Sequence, residues 1–76
     1  MTTIKLADIQ AARRRIRDQV FVSPCPFCEV LSQASGAEVY LKLENLQFTG
    51  SFKHRGALNK ILQLSAEQKA AGLAIA

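Results

Sequence analysis

The sequence predicts an α/β fold, with elements in the order α-α-β-α-α-β and a parallel sheet left incomplete within its 76 residues. Three observations carry this. "EVYLKLE", residues 38–44, alternates Val39, Leu41 and Leu43 against Tyr40, Lys42 and Glu44, the period-two pattern of a half-buried strand. The final "GLAIA" is an apolar run after a helix-stopping glycine, which reads as the start of a buried strand. Four further segments carry helical periodicity or cap signals, and strands separated by helices favour crossover connections between parallel strands.

The first helix is expected from about Lys5 to Asp18, because Leu6, Ile9, Ala12, Ile16 and Val20 fall on one stripe. "VSPCP" breaks it at Pro24 and Pro26. A short helix follows from Phe27 to Ala34, closed by Gly36. After the strand, "NLQFTG" is a loop in which Gly50 suits a turn with positive φ. Ser51 is a candidate N-cap for a helix through about Leu64, with Ala57, Leu58, Ile61, Leu62 and Leu64 on one apolar face. Gly56 in mid-helix costs about 1 kcal/mol against alanine, which suggests close backbone packing there. "SAEQKAAG" is a last short helix, capped by Ser65 and ended by Gly72.

Composition limits the function classes. With 49% hydrophobic and 21% charged residues the chain is an ordinary globular sequence of at most one domain. A chain this short buries only about 60% of its unfolded surface. A lone terminal strand would leave its backbone unpaired, so the sequence reads as the first piece of a larger α/β protein. Ten Lys and Arg against six Asp and Glu give a mildly basic +4. No apolar stretch is long enough to span a membrane, and "MTTIKLADIQ" has no apolar signal-peptide region. The expected setting is cytoplasmic, without membrane or nucleic-acid partners.

Lys53 is the candidate reactive residue. It stands two residues after a Thr-Gly-Ser turn, in the first turn of the third helix and at the edge of its apolar face. The positive end of the helix dipole is a poor place for a permanent cation. An amine held there and partly desolvated favours its neutral form, a nucleophile able to form a Schiff base with an aldehyde. A solvated surface lysine is the competing reading.

"KLENLQFTGSFKHRGALNKI", Lys42 to Ile61, resembles the lysine motif of fold-type II (tryptophan synthase β-like) pyridoxal-phosphate enzymes. It is most similar to the threonine dehydratase (threonine ammonia-lyase) group, with the serine dehydratases and serine racemase. Further likeness lies in the Arg-rich first helix, Ser23-Pro24, "SGAEVYLKLEN" and "LSAEQKAAG". Threonine synthases usually follow the lysine with Asp-Arg-Gly and cysteine synthases carry Ser-Val-Lys, so "ENLQ" and "RGALNK" favour the dehydratase branch. The resemblance implies that residues 1–76 are the N-terminal part of a pyridoxal-phosphate-dependent catalytic domain, truncated here.

It further implies that Lys53 forms the Schiff base with pyridoxal 5'-phosphate and then removes the Cα proton of an amino-acid substrate. Loss of the β-hydroxyl and hydrolysis would give ammonia and a 2-oxo acid, 2-oxobutanoate from threonine or pyruvate from serine. Phe52 would pack near the cofactor, although the residue by itself reads first as a plain core aromatic. Racemisation of serine, or action as another hydroxy-amino-acid lyase, is the alternative within the family, and the parent is expected to be a homo-oligomer. The family's Gly-Asn-His segment and its glycine-rich phosphate loop do not occur in these residues, so the chain by itself is expected to be inactive. His54 departs from the family pattern on the apolar face, where a satisfied packed histidine is the expectation.

Two features point elsewhere. "CPFC" places Cys25 and Cys28 at Cys-x-x-Cys spacing, which suits a redox pair or half a zinc site. No second cysteine pair exists and a proline-broken loop precedes this one, so two free thiols and no metal are expected. "ARRRIR" suits a small basic nucleic-acid-binding module, but Arg13 and Arg17 flank the apolar stripe while Arg14 and Arg15 lie apart. Spread charge of this kind reads as a solvated helix face.

Overall fold

The computed structural model describes residues 3–74. Helix α1 is Leu6–Ile16, α2 Glu29–Ser35, α3 Lys53–Ile61 and α4 Ala66–Ala71, with a single 3₁₀ turn at Glu44–Leu46. Helix α1 starts where the Asp8 carboxylate reaches back to the Lys5 N–H at 2.8 Å, an acid in the first turn facing the positive helix end. Helix α2 ends as expected on Gly36, in the left-handed region at φ 76°, its N–H bonded to the Ser32 carbonyl. It begins at Glu29 rather than Phe27, because Phe27 is held in an extended pairing. Helix α4 has a capping box: the Ser65 hydroxyl accepts from the Gln68 N–H at 3.1 Å and the Gln68 side chain accepts from the Ser65 N–H at 2.8 Å.

The sheet is where the sequence reading needs correction. Residues 38–43 lie outside any helix and Glu44 opens the 3₁₀ turn, yet no strand forms among the described residues. The pairing present is one antiparallel bridge, Phe27 to Tyr40, with the two rings edge-to-face at 5.5 Å. The Cys28 N–H donates to Val39, and the Leu41 and Leu43 N–H groups donate to Pro26 and Pro24. The return bonds to residues 41 and 43 would have to come from the nitrogens of Pro26 and Pro24, which carry no hydrogen, and the Val39 N–H is taken by the Ser32 hydroxyl at 2.8 Å. Proline thus halves the ladder just where the alternating pattern calls for a strand. The expected order α-α-β-α-α-β keeps its four helices and loses its first strand to a one-sided pairing. Leu73 and Ala74 are unpaired, and the remainder of the expected last strand, residues 75–76, lies outside the described residues.

Packing is thin. Ile16, the last residue of α1, is the one buried apolar residue among the described residues, at 7% exposed, and α1 is in contact with α3. The Arg15 guanidinium also donates to the Asn59 side chain across that contact. Further along the predicted stripe Leu6 and Ile9 are exposed, at 68% and 59%. The expected apolar face of α3 is only partly buried, and among the described residues a Cβ at Gly56 would meet nothing within 4 Å, so none of them makes the close packing expected there. The radius of gyration is 16.3 Å, where a compact domain of this length would have about 11 Å. Among the described residues no helix is long and apolar enough to cross a membrane, and no three potential metal-binding side chains cluster.

Candidate functional site

Lys53 is the first residue of α3. The turn ahead of it is closed by the Gly50 N–H donating to Gln47 at 2.8 Å, with Gly50 at φ 79°, a backbone region open to glycine. The Ser51 hydroxyl accepts from the Lys53 N–H at 3.3 Å, so Ser51 holds the helix start, although the helix proper is entered through Phe52. The Lys53 side chain is exposed. The partial desolvation expected of it is therefore not provided by the described residues. It borders an open hollow of about 330 Å³ that is also lined by Thr49, Ser51, His54, Ala57, Leu58 and Ile61. Phe52, the other expected cofactor residue, is 69% exposed and is not among the residues lining this hollow.

His54 is a satisfied, partly buried histidine, as expected. Its Nε2 lies 3.0 Å from the Gln19 carbonyl and its ring stands edge-to-face on Phe48, centroids 5.8 Å apart. It ties the head of α3 to the turn after α1.

Behind this turn lies a polar network that sequence reasoning did not find. Glu44 Oε1 accepts from Arg55 Nε at 2.8 Å, from Arg55 Nη2 at 2.7 Å and from Ser23 Oγ at 3.1 Å. Glu44 Oε2 accepts from Gln47 Nε2 at 3.1 Å. Gln47 in turn grips the Phe21 backbone twice: Nε2 donates to its carbonyl at 2.8 Å, and Oε1 accepts from its N–H at 2.7 Å. Lys42 Nζ donates to the Ser23 carbonyl at 2.7 Å. Ser23 and Gln47 are each only 3% exposed, and no buried side-chain polar atom is left without a partner among the described residues. The hydrogen bond from Arg55 is the main reason the Glu44 carboxyl is lowered from 4.5 to about 2; opposed by burial, it is reinforced by the bonds from Gln47 and Ser23 and by the Arg55 charge. One signal was available: Glu44 and Gln47 are three apart, and Gln47 caps the 3₁₀ turn that Glu44 begins, its N–H bonded to the Glu44 carbonyl.

Cys25 and Cys28 are free thiols, as expected. They are three residues apart in extended chain, which puts them on opposite faces and about 10 Å apart, beyond the reach of a disulfide.

A family profile for pyridoxal-phosphate dependent enzymes matches residues 16–76, and the chain belongs to that family. Among individual proteins, it is 48% identical over 73 residues to an L-threonine ammonia-lyase of Thermotoga maritima, an alignment covering 96% of this chain and 18% of that protein. It is 41% identical to a serine racemase of Dictyostelium discoideum, over 96% of this chain and 22% of the other. The crystal structure of a T.th. threonine deaminase superposes with a TM-score of 0.71 at 43% identity, covering 83% of this chain and 21% of that one. The chain thus spans about a fifth of the length of the relatives it matches.

The hollow beside Lys53 fits one part of pyridoxal phosphate. An accessible primary amine is what an aldehyde needs, and the apolar wall of Ala57, Leu58 and Ile61 suits a flat ring. The phosphate is not provided for among the described residues: the four glycines, at 36, 50, 56 and 72, stand apart and form no continuous cradle of backbone N–H groups.

Proposed function

We propose that these residues are the N-terminal part of the catalytic domain of a pyridoxal-phosphate-dependent ammonia-lyase that converts L-threonine, or L-serine, to a 2-oxo acid and ammonia. What carries the reading is Lys53, an accessible amine at the head of α3 beside an open hollow, in a chain of this family. Lys53 would hold the cofactor through its side-chain amine and, when that amine is free, would take up the Cα proton of the substrate. The bound cofactor supplies an electron sink for the charge left at Cα. Phe52 packs beside the ring once the fold is completed. The parent works as a homo-oligomer in the cytoplasm, and residues 1–76 alone do not turn over.

Reduction with borohydride in the presence of pyridoxal phosphate, followed by peptide mapping, tests the assignment. The label is expected on Lys53 and is lost in Lys53→Ala; a label that ignores the substitution refutes the role. Steady 2-oxobutanoate release by the 76 residues alone would refute the inactivity of the isolated segment. The similarity to a serine racemase supports a second reading, racemisation of serine. Formation of D-serine in place of pyruvate by the longer protein would select it.

A further inference from the structure

Glu44 bonds both ends of one loop. Its Oε2 accepts from Gln47 at 3.1 Å, and its Oε1 accepts from Arg55 at 2.8 and 2.7 Å. Residues 48–54, with Lys53 among them, lie between those two anchors. Ahead of the helix this stretch is held locally, by the Gly50 N–H on Gln47 and the Lys53 N–H on Ser51 Oγ. It reaches another part of the chain through His54 on the Gln19 carbonyl, so the Glu44 bonds are what join its two ends to each other. Gln47 is itself fixed to the Phe21 N–H and carbonyl, so the anchored loop is referred to the rest of the chain and not merely to itself.

We infer that Glu44 is a positioning residue for Lys53: its carboxylate closes residues 47–55 into a hoop and so fixes where the head of α3 presents the lysine amine. This rests on the proposed role of Lys53. Without Glu44, Arg55 and Gln47 lose their shared acceptor, and the amine samples a wider volume. Displacing a reacting group by about 1 Å is enough to cost about a hundredfold in rate. The Arg55 side chain also borders an open cavity of about 890 Å³ with Lys42 and Val22, so a small cation can reach its place from solvent.

The test uses the protein expressed from its own gene, incubated with pyridoxal phosphate and quenched with borohydride at timed intervals. Mass spectrometry then gives the labelling rate at Lys53 relative to Lys5, Lys60 and Lys69 in the same sample. Faster labelling of Lys53 than of the other three in the unaltered protein upholds the proposed role; equal labelling overturns that role and this inference with it. In Glu44→Ala the Lys53 rate is expected to fall about ten- to a hundredfold while the other three stay unchanged. Arg55→Ala is expected to show the same selective loss, reversed by added guanidinium ion at non-denaturing concentration. Should Glu44→Ala not fold, Glu44→Gln takes its place, keeping the shape and one acceptor oxygen, with a smaller selective loss expected. A Lys53 rate unchanged in the variants overturns the inference while leaving the role of Lys53 intact. A loss shared by all four lysines, or one that guanidinium does not reverse, marks the network as merely structural and overturns it too.

Discussion

Replacing Gln47 with alanine removes the side chain that joins residues 21, 44 and 48. It is 3% exposed and takes part in bonds to the Phe21 carbonyl (2.8 Å), the Phe21 N–H (2.7 Å), Glu44 (3.1 Å) and, more weakly, the Phe48 N–H (3.3 Å). At about 1 kcal/mol net for each of the three shorter bonds, Gln47→Ala costs about 3 kcal/mol. A chain of this length has about 4 kcal/mol to lose, at the low end of about 0.05 kcal/mol per residue that its thin packing suggests. Urea unfolding followed by far-ultraviolet circular dichroism reads the loss. With a slope of about 1 kcal/mol per molar, the midpoint falls by about 3 M. Gln47→Glu adds a sign test: the new carboxylate faces ionised Glu44 and can no longer donate to the Phe21 carbonyl. It is expected to be worse than alanine at neutral pH and to recover as pH falls through the ordinary carboxylate range. A midpoint shift in Gln47→Ala smaller than about 0.5 M refutes the reasoning, because water would then be serving the Phe21 backbone as well as the buried amide does.

Other predictions concern single residues. Glu44 has its folded-state value at about 2 against the ordinary 4.5, so its contribution to stability is complete above 4.5 and is lost as pH falls toward 2; an acid titration by circular dichroism should lose that dependence in Glu44→Gln. Gly50→Ala should cost about 1–2 kcal/mol through backbone strain alone, since its φ is 79° and no atom obstructs a Cβ. Gly56→Ala, in open space within a helix, should gain about 1 kcal/mol in the same urea assay. Oxidation of the protein should yield no Cys25–Cys28 disulfide while it remains folded, checked by non-reducing peptide mass spectrometry; the bridge in folded protein would contradict the extended geometry of residues 25–28.

What could be read in the sequence was local. Helix α4 was legible down to Ser65 and Gly72, because a capping hydroxyl and a stop glycine act within a few residues of themselves. The place of Lys53 at the head of α3 was legible for the same reason. Its solvation was not, since burial depends on what packs over a residue and a helical wheel shows only its own helix. The alternation of residues 38–44 predicted a strand; among the described residues only the bridge at Tyr40 forms, because the alternation does not show the partner, whose prolines decided how much ladder formed. The network around Glu44 joins residues 21–23, 44–47 and 55, separations of 11 to 26 residues for its longer links, which no local pattern encodes.

The one-sided pairing of residues 24–28 with 38–44 leaves a particular imprint on amide exchange. Leu41 and Leu43 donate across the pair, while no backbone acceptor takes the intervening N–H of Lys42. Hydrogen exchange along this segment should therefore alternate, slow at 41 and 43 and fast at 42. On the facing segment the corresponding positions 24 and 26 have no amide to report. Of the facing segment Cys28 alone donates across the pair, so the contact is reported mainly from residues 41 and 43, and an exchange map that expected reciprocal protection at 24 and 26 would underestimate a genuine β contact.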